Sequence, residues 1–315
     1  MTRNTPTGEP VVLTRGLTKR YRATTALRGV DLTVTTGQVF GFLGPNGAGK
    51  TTALKALVGL LRPTAGKVRV LGRPAGHPAA LGRVGAMIEA PGFYPYLSGR
   101  ANLRHLARYV HLDDTAVDRA LELVELRDRS RDRFAEYSLG MKQRLGVAAA
   151  LMKDPELVIL DEPTNGLDPQ GMRDMRALIS GLGERGHTVI LSSHQLREVQ
   201  EVCDWVVVID QGRVIHHGSV AEIRAQSELE VTVSPAERAI PVVRSVEGVS
   251  QVRVAGPHRL LVSVPQARTA GVNRALVEAG LEVTGLRWVE RQLEDVFFDL
   301  TGQQSDAATE GAVHV

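Results

Sequence analysis

Cysteine, aromatic side chains and long apolar runs are scarce in this chain, and each scarcity excludes something. One cysteine, Cys203, leaves no internal disulfide framework and fits a reducing compartment. It falls in phase with Leu196 and Val199 on an expected helix, so it reads as a packed core thiol and not a reactive one. The longest apolar runs, "LGVAAALM" and "WVVVI", fall well short of the roughly 20 residues that span a bilayer. They suit a buried helix and a buried strand. The opening "MTRNTPTGEP" lacks the apolar core of a signal peptide, which makes a cytoplasmic chain the expectation. Charge of one sign is scarce too. With 38 basic and 35 acidic residues the net charge is +3, too small and too scattered to argue for nucleic acid. The densest charge, "ELRDRSRDRF" (Glu125–Phe134), alternates in sign and reads as a solvated surface turn.

What is present is an ordinary globular composition, 43% hydrophobic and 23% charged, in 315 residues, enough for two domains. Short β-branched runs open the chain: "PVVLTRGL", "GVDLTVTTGQVFGFLG" and "GKVRVLGR". Next, "GKTTALKALVGLL" has helical apolar spacing at Leu54, Leu57, Val58 and Leu61. From about Ser98 to Ala150 the texture is helical throughout. An apolar strand "ELVILD", a helix near Gly171–Arg185 and a second apolar strand "HTVILSS" follow. Strands that are apolar on both faces and alternate with helices indicate a buried parallel sheet, interrupted here by a helical insertion.

Past about Ile223 the pattern changes. "LEVTVS", "SQVRVAG", "HRLLVSV" and "LEVTGLRWV" read as strands, with helices near Ala239–Val246, Thr269–Ala279 and Gln292–Leu300. This order predicts a small α+β domain of ferredoxin-like type. The expected boundaries are 1–225 for the α/β part with its insertion at about 90–150, 226–302 for the α+β part, and 303–315 for a disordered tail.

Four places carry chemistry. "GPNGAGKT" (Gly44–Thr51) fits the pattern G-x-x-x-x-G-K-[ST] between a strand and a helix. Its glycines let backbone N–H groups converge on one concavity, and the helix N-terminus adds partial positive charge. Lys50 then reaches the β- and γ-phosphates of a nucleotide, and the Thr51 hydroxyl binds Mg²⁺. The strand in "LVILDEPTNGLD" (Leu157–Asp168) ends in two carboxylates. Asp161 at the sheet edge orders the Mg²⁺ shell, and Glu162 points forward to polarise an attacking water as a general base. Two adjacent carboxylates repel unless one coordinates metal, which separates their roles. His194 follows the next strand and faces the same crevice, where a neutral imidazole can bond the γ-phosphate or the water. "YSLGMKQRL" (Tyr137–Leu145) opens a helix, with Ser138 as N-cap and Gly140 behind it. A second copy of the chain could bring this anion-binding helix start to the phosphate loop. The adjacent His216 and His217 have no distant partner and read as surface residues, not metal ligands.

Together these residues resemble the ATP-binding cassette (ABC) ATPases, the motor subunits of ABC transporters. The resemblance covers about the first 220 residues. It implies an α/β P-loop NTPase cassette: a RecA-like parallel sheet core with a β-rich N-terminal subdomain and a helical insertion, followed by the small C-terminal α+β domain. Gly44–Thr51 looks like the Walker A motif, Leu157–Asp161 like Walker B, and Glu162 like the catalytic glutamate. "NGLD" (Asn165–Asp168) resembles the D-loop, His194 the switch histidine and "YSLGM" (Tyr137–Met141) the LSGGQ signature. By this resemblance Gly44, Pro45, Asn46, Gly47, Ala48, Gly49, Lys50, Thr51 and Thr52 cradle ATP, and Tyr21 stacks on its adenine; by sequence alone Tyr21 reads equally as a core tyrosine. Glu89, Ser138, Gly140 and Asp168 complete the nucleotide set, while Thr51, Asp161 and Glu89 hold Mg²⁺. Catalysis falls to Glu162, His194 and Lys50. The implied assembly is a head-to-tail dimer with two ATP molecules between one copy's Walker A and the other's signature.

Two departures stand out. Leu139 and Met141 replace a glycine and the glutamine of the signature, and Glu89 replaces the Q-loop glutamine. Around Glu89, "VGAMIEAPGFYPYLSGR" (Val84–Arg100) crowds Phe93, Tyr94 and Tyr96 between and beside Pro91 and Pro95. This stretch resembles the drug, bacitracin and lantibiotic exporter branch, and "LEDVFFDLTG" (Leu293–Gly302) resembles exporters of the daunorubicin-resistance type. The implied function is ATP-driven export of a drug, antibiotic or peptide-like compound through separate membrane subunits. These would be contacted by the Glu89–Tyr96 loop at the cytoplasmic face of the membrane, with no nucleic acid involved. In that loop Phe93 has two readings, docking surface or core. The alternative function is a soluble ABC ATPase in translation or DNA maintenance, which usually has two cassettes or a long coiled-coil insertion. A P-loop kinase has no use for the signature or the D-loop.

Overall fold

Alternating apolar and polar residues build the first strands, and runs of unbroken apolar residues build the central ones. The structure, a computed structural model, describes residues 9–225 and 227–290. The expected helix at Gln292–Leu300, the Leu293–Gly302 run and the expected tail 303–315 lie outside the described residues. The chain divides into two compact units between Val220 and Ala221.

The first unit begins with β1 (Pro10–Tyr21), β2 (Thr24–Thr35) and β3 (Val39–Leu43), followed by α1 (Lys50–Leu57). β4 (Ala65–Val70), β5 (Arg73–Pro74), α2 (Pro78–Leu81) and β6 (Val84–Met87) lead to the helical insertion. That insertion holds α3 (Gly99–Tyr109), α4 (Asp114–Leu123) and α5 (Leu139–Leu151). The chain then returns through β7 (Leu157–Asp161), α6 (Pro169–Glu184), β8 (Thr188–Ser193), α7 (Leu196–Val202), β9 (Trp205–Asp210) and β10 (Arg213–Ser219). α8 (Val220–Ala225) crosses the division into the second unit.

Two sheets organise this unit. An antiparallel sheet has the order β2-β1-β4-β5, and a six-stranded sheet has the order β10-β9-β3-β8-β7-β6. In the second sheet β9, β3, β8, β7 and β6 are parallel and β10 closes the edge antiparallel. Every residue of β3, β7 and β8 is buried, as the continuous apolar runs demand of strands covered on both faces. Leu157, Ile159 and Leu160 are fully buried; each contributes about 2 kcal/mol as an upper estimate and fixes the strand that ends at Asp161. The α/β cassette expected from the sequence is thus the fold observed.

Small residues set two close approaches. A Cβ on Gly146 of α5 would lie 2.4 Å from Met87 Sδ and 3.2 Å from Pro91, so α5 packs directly against the end of β6. A Cβ on Gly41 would lie 2.5 Å from Val199 Cγ1 and 3.0 Å from Cys203 Sγ. Cys203 is buried as expected, but it caps α7 rather than lying within it. Glu125–Phe134 runs over the surface, with Leu126, Ser130 and Phe134 turned inward.

The second unit contains β11 (Ser227–Ser234), α9 (Ala236–Arg244), β12 (Gln251–Gly256), β13 (Arg259–Ser263), α10 (Thr269–Glu278) and β14 (Glu282–Glu290). Its sheet order is β12-β13-β11-β14, antiparallel throughout, which is the ferredoxin-like arrangement. Leu229, Val231, Val233, Leu260, Val262 and Leu276 form its core. The α9 helix starts at Ala236, three residues earlier than the apolar pattern marks, directly after Pro235.

Candidate functional site

The loops that carry the expected site residues leave one edge of the parallel sheet. The phosphate loop follows β3, Glu89 follows β6, Glu162 follows β7 and His194 follows β8, and β3, β8, β7 and β6 are neighbours. A crevice outside the carboxyl ends of parallel strands is where ligands bind in such sheets.

The phosphate loop turns into α1 at Gly49, whose φ is +110° and whose hypothetical Cβ would lie 2.6 Å from the Ala26 carbonyl oxygen. Only glycine fits there. Lys50 is buried, and its Nζ donates to the carbonyl oxygens of Gly44 (2.7 Å) and Pro45 (3.2 Å). The same ammonium lies 3.1 Å from Glu162 Oε1. Ala26, Asn46, Thr51, Thr52, Glu162 and Asn165 line the pocket around it.

The two carboxylates are separated by their partners. Asp161 is buried and its Oδ1 accepts from the Ser192 hydroxyl at 2.5 Å. Glu162 has a left-handed backbone (φ 47°), a conformation that costs a non-glycine residue about 1–2 kcal/mol. Its N–H donates to Ser192 Oγ at 2.9 Å, and its Oε2 lies 2.7 Å from His194 Nδ1. With Nδ1 bonded to a carboxylate, Nε2 is the nitrogen left for a ligand. Ser193, the next residue, is also engaged: its hydroxyl donates to Glu198 Oε2 at 2.9 Å, and Thr164 Oγ1 donates to the same oxygen at 2.7 Å.

Sequence reasoning missed Ser192, Ser193, Thr164 and Glu198. The available signal was a pair of serines closing an otherwise apolar strand, where buried hydroxyls need partners.

Ser138 caps α5, its Oγ accepting from the Met141 N–H at 3.2 Å. With Gly140 and Asp168 it lines a groove that shares no residue with the phosphate-loop pocket. Asp168 caps α6, its Oδ1 accepting from the Gly171 N–H at 3.0 Å. Leu139 is half-exposed, and its Cδ2 would lie 2.8 Å from a Cβ on Gly166 (φ +76°). Tyr21 ends β1 with an exposed ring, 5.0 Å from Lys19 Nζ, and does not line the phosphate-loop pocket.

Glu89 also has a left-handed backbone (φ 65°), and its Oε1 meets Lys55 Nζ at 2.6 Å. That hydrogen bond and its charge hold Lys55 above the ordinary lysine range. Beyond Glu89 the aromatic residues divide. Phe93 is half-buried, edge-on to Phe134 at 5.2 Å, whereas Tyr94 and Tyr96 are exposed, with their rings tilted at 43° and centroids 5.7 Å apart. His105 and Tyr109 of α3 continue the row. Buried Asn102 clamps the loop: its Oδ1 accepts from the Tyr94 N–H (2.8 Å), and its Nδ2 donates to the carbonyl oxygens of Tyr94 (3.0 Å) and Ser98 (3.1 Å).

Among the described residues no cluster of three or more His, Cys, Asp or Glu could hold a metal by itself, His216 and His217 included. The Thr51 hydroxyl and Asp161 carboxylate are hard oxygen donors. They suit an ion that takes its remaining ligands from phosphate and water, as Mg²⁺ does.

A family model described as ABC transporter matches residues 27–165. The chain is 39% identical to the bacitracin transport ATP-binding protein BcrA of Enterococcus faecalis, over 93% of this chain and 97% of that protein. The chain belongs to the ABC transporter family. It is also 37% identical to the daunorubicin resistance ATP-binding protein DrrA3 of Streptomyces coeruleorubidus, over 91% of this chain and 94% of that protein. Among solved structures, the ATP-binding subunit of an ABC transporter matches with a TM-score of 0.61 and 29% identity, over 69% of this chain and 92% of that one. This cassette is therefore an ATP-binding, ATP-hydrolysing subunit of a transporter, and the alternative of a soluble cassette in translation or DNA maintenance is set aside. Among the described residues no helix is long and apolar enough to cross a membrane.

Proposed function

We propose that this cassette drives export of an antibiotic-like or drug-like compound through separate membrane subunits, from the cytoplasmic face of the membrane. The names of its relatives support the substrate class: bacitracin transport in one, daunorubicin resistance in another. The exposed Tyr94 and Tyr96, on the loop after Glu89, supply the apolar surface such a subunit needs for docking.

The observation that carries the chemistry is the position of Glu162, whose two oxygens meet Lys50 at 3.1 Å and His194 at 2.7 Å. A carboxylate fixed between a cation and an imidazole, at the mouth of a phosphate loop, is oriented to take a proton from water. In this reading Lys50 exchanges its backbone and Glu162 contacts for the β- and γ-phosphates, and Glu162 is released to act as base. His194 Nε2 orients the γ-phosphate or the water. Tyr21 stacks on adenine. Ser138 and Gly140 of a second copy complete each site, so that two ATP molecules close a dimer. Thr51 and Asp161 hold Mg²⁺, with Glu89 the third residue of that shell; the ion supplies charge neutralisation on the phosphate oxygens when bound.

Glu162→Gln tests this. It keeps the size of the side chain and removes the base, so turnover falls about a hundredfold or more while ATP binding persists and the dimer stays closed. Turnover close to that of the unmodified protein would remove Glu162 from the role.

A further inference from the structure

Glu198 is a buried carboxylate that the mechanism above does not use. It sits on α7, 5% exposed. Its Oε2 takes hydrogen bonds from two neutral hydroxyls, Thr164 at 2.7 Å and Ser193 at 2.9 Å, and its Oε1 has no hydrogen-bond partner among the described residues. Both donors are buried as well. An interior acid bound on one oxygen only by hydroxyls is an expensive way to fill space, since burial penalises the charge and an unmet acceptor costs about 1–3 kcal/mol.

The identity of the donors explains the expense. Thr164 is two residues after Glu162, and Ser193 is the residue before His194. These are the two loops whose side chains meet at 2.7 Å across the site. Neighbouring Ser192 bonds Asp161 and the Glu162 N–H, which fixes the start of the carboxylate loop to β8. Nothing in that bond fixes the loop beyond Glu162. Glu198 does so by accepting from Thr164 and Ser193 on one oxygen.

The geometry points to Glu198 as a positioning residue for hydrolysis: it sets the approach of Glu162 to His194 by holding Thr164 and Ser193 on one oxygen. This rests on the reading of Glu162 as the base. A base displaced by a fraction of an ångström still lets ATP bind but takes its proton poorly, so the effect falls on kcat.

The test uses the full-length chain, with ATP as ligand. Glu198→Ala lowers kcat roughly tenfold and leaves the KM for ATP within about twofold, because the lost contact acts on the base and not on the nucleotide. Glu198→Gln keeps an oxygen that both hydroxyls can reach, so it restores kcat to within about threefold of the unmodified protein. Should Glu198→Ala fail to fold, the Thr164→Val, Ser193→Ala double variant carries the test, with a loss of kcat of about fivefold expected at unchanged KM. An unchanged kcat in whichever of these folds overturns the proposal. So does a loss confined to the number of nucleotide-binding molecules, with kcat per bound ATP preserved, since that is mere destabilisation. Glu162→Gln, measured beside them, separates the two ideas. If that variant turns over normally, the base assignment fails; if it is inactive while Glu198→Ala is normal, only the positioning role fails.

Discussion

Lys55 Nζ lies 2.6 Å from Glu89 Oε1, so the helix that begins at the phosphate-loop lysine is tied to the loop bearing Tyr94 and Tyr96. Both partners are solvent-accessible, and such a pair contributes about 0–1 kcal/mol to stability. Its value is as a link between the phosphate-loop helix and the aromatic loop. Glu89→Gln keeps an oxygen donor for the proposed Mg²⁺ shell and Lys55 lies outside it, so both Glu89→Gln and Lys55→Met should leave folding unchanged and basal hydrolysis within about threefold, while reducing the stimulation of ATPase activity by the membrane subunits. Paired measurements with and without those subunits check this. A basal loss as deep as that of Glu162→Gln would make Glu89 the base instead.

Lys50 carries the only ammonium among the residues lining the phosphate-loop pocket. Lys50→Ala should weaken ATP binding roughly 10- to 100-fold, the loss of one or two charge-assisted hydrogen bonds. Equilibrium titration with a fluorescent ATP analogue reads this directly, and unchanged affinity would contradict the assignment.

Leu139 presses on Gly166, where a methyl group would come within 2.8 Å of its Cδ2 at a backbone φ of +76°. Gly166→Ala therefore meets a strained backbone and, as a lesser obstacle, the end of a half-exposed side chain that can swing aside. It should lower the melting temperature by about 2–4 °C. Adding Leu139→Ala removes the contact but not the strain and keeps a good helix former at the start of α5, so the double variant should recover a small part of the loss. Full recovery, or none, would show that only one obstacle operates.

Asn102 should govern the aromatic loop without touching the nucleotide. Asn102→Ala leaves the Tyr94 N–H and two carbonyl oxygens without their side-chain partner, at a cost of about 2 kcal/mol. Basal ATPase activity should hold, whereas association with the membrane subunits should weaken. Denaturant unfolding and co-purification give the two readings.

Cys203 should be inert. Burial, with the nearby charges of Asp204 and Glu198, pushes its thiol far above the ordinary cysteine range. At pH 8 the native protein should resist alkylation by iodoacetamide and react only on unfolding. The same shift has a pH consequence: the unfolded thiol ionises near about pH 8.5 and the folded one does not, so stability is intact below that pH and falls as pH rises above it. Rapid labelling of the native protein would mean that the thiol is exposed by local opening.

Much of this was legible in the sequence because it rests on local rules. The glycine spacing before Lys50, the apolar strand before Asp161 and the alternation in β11 to β14 each constrain the backbone within a few residues. What stayed hidden depends on long-range partners. Glu198 and Thr164 are 34 residues apart, and no periodicity announces that they meet. Phe93, Tyr94 and Tyr96 are all aromatic and lie within four positions, and the partner of the ring that turns inward, Phe134, is brought back from the far end of the insertion. The left-handed backbone at Glu89 and Glu162 was equally silent, since neither residue type signals it.

The missing side chain at Gly146 has a mechanical meaning. With Met87 and Pro91 seated against bare backbone, there is no compliant layer between α5 and the strand that leads to Glu89. Close-packed contacts transmit displacement and do not absorb it. If the proposed docking at the tyrosines holds, a displacement there should pass through this stiff joint to the helix whose first turn is capped by Ser138, with the glycine as its fulcrum.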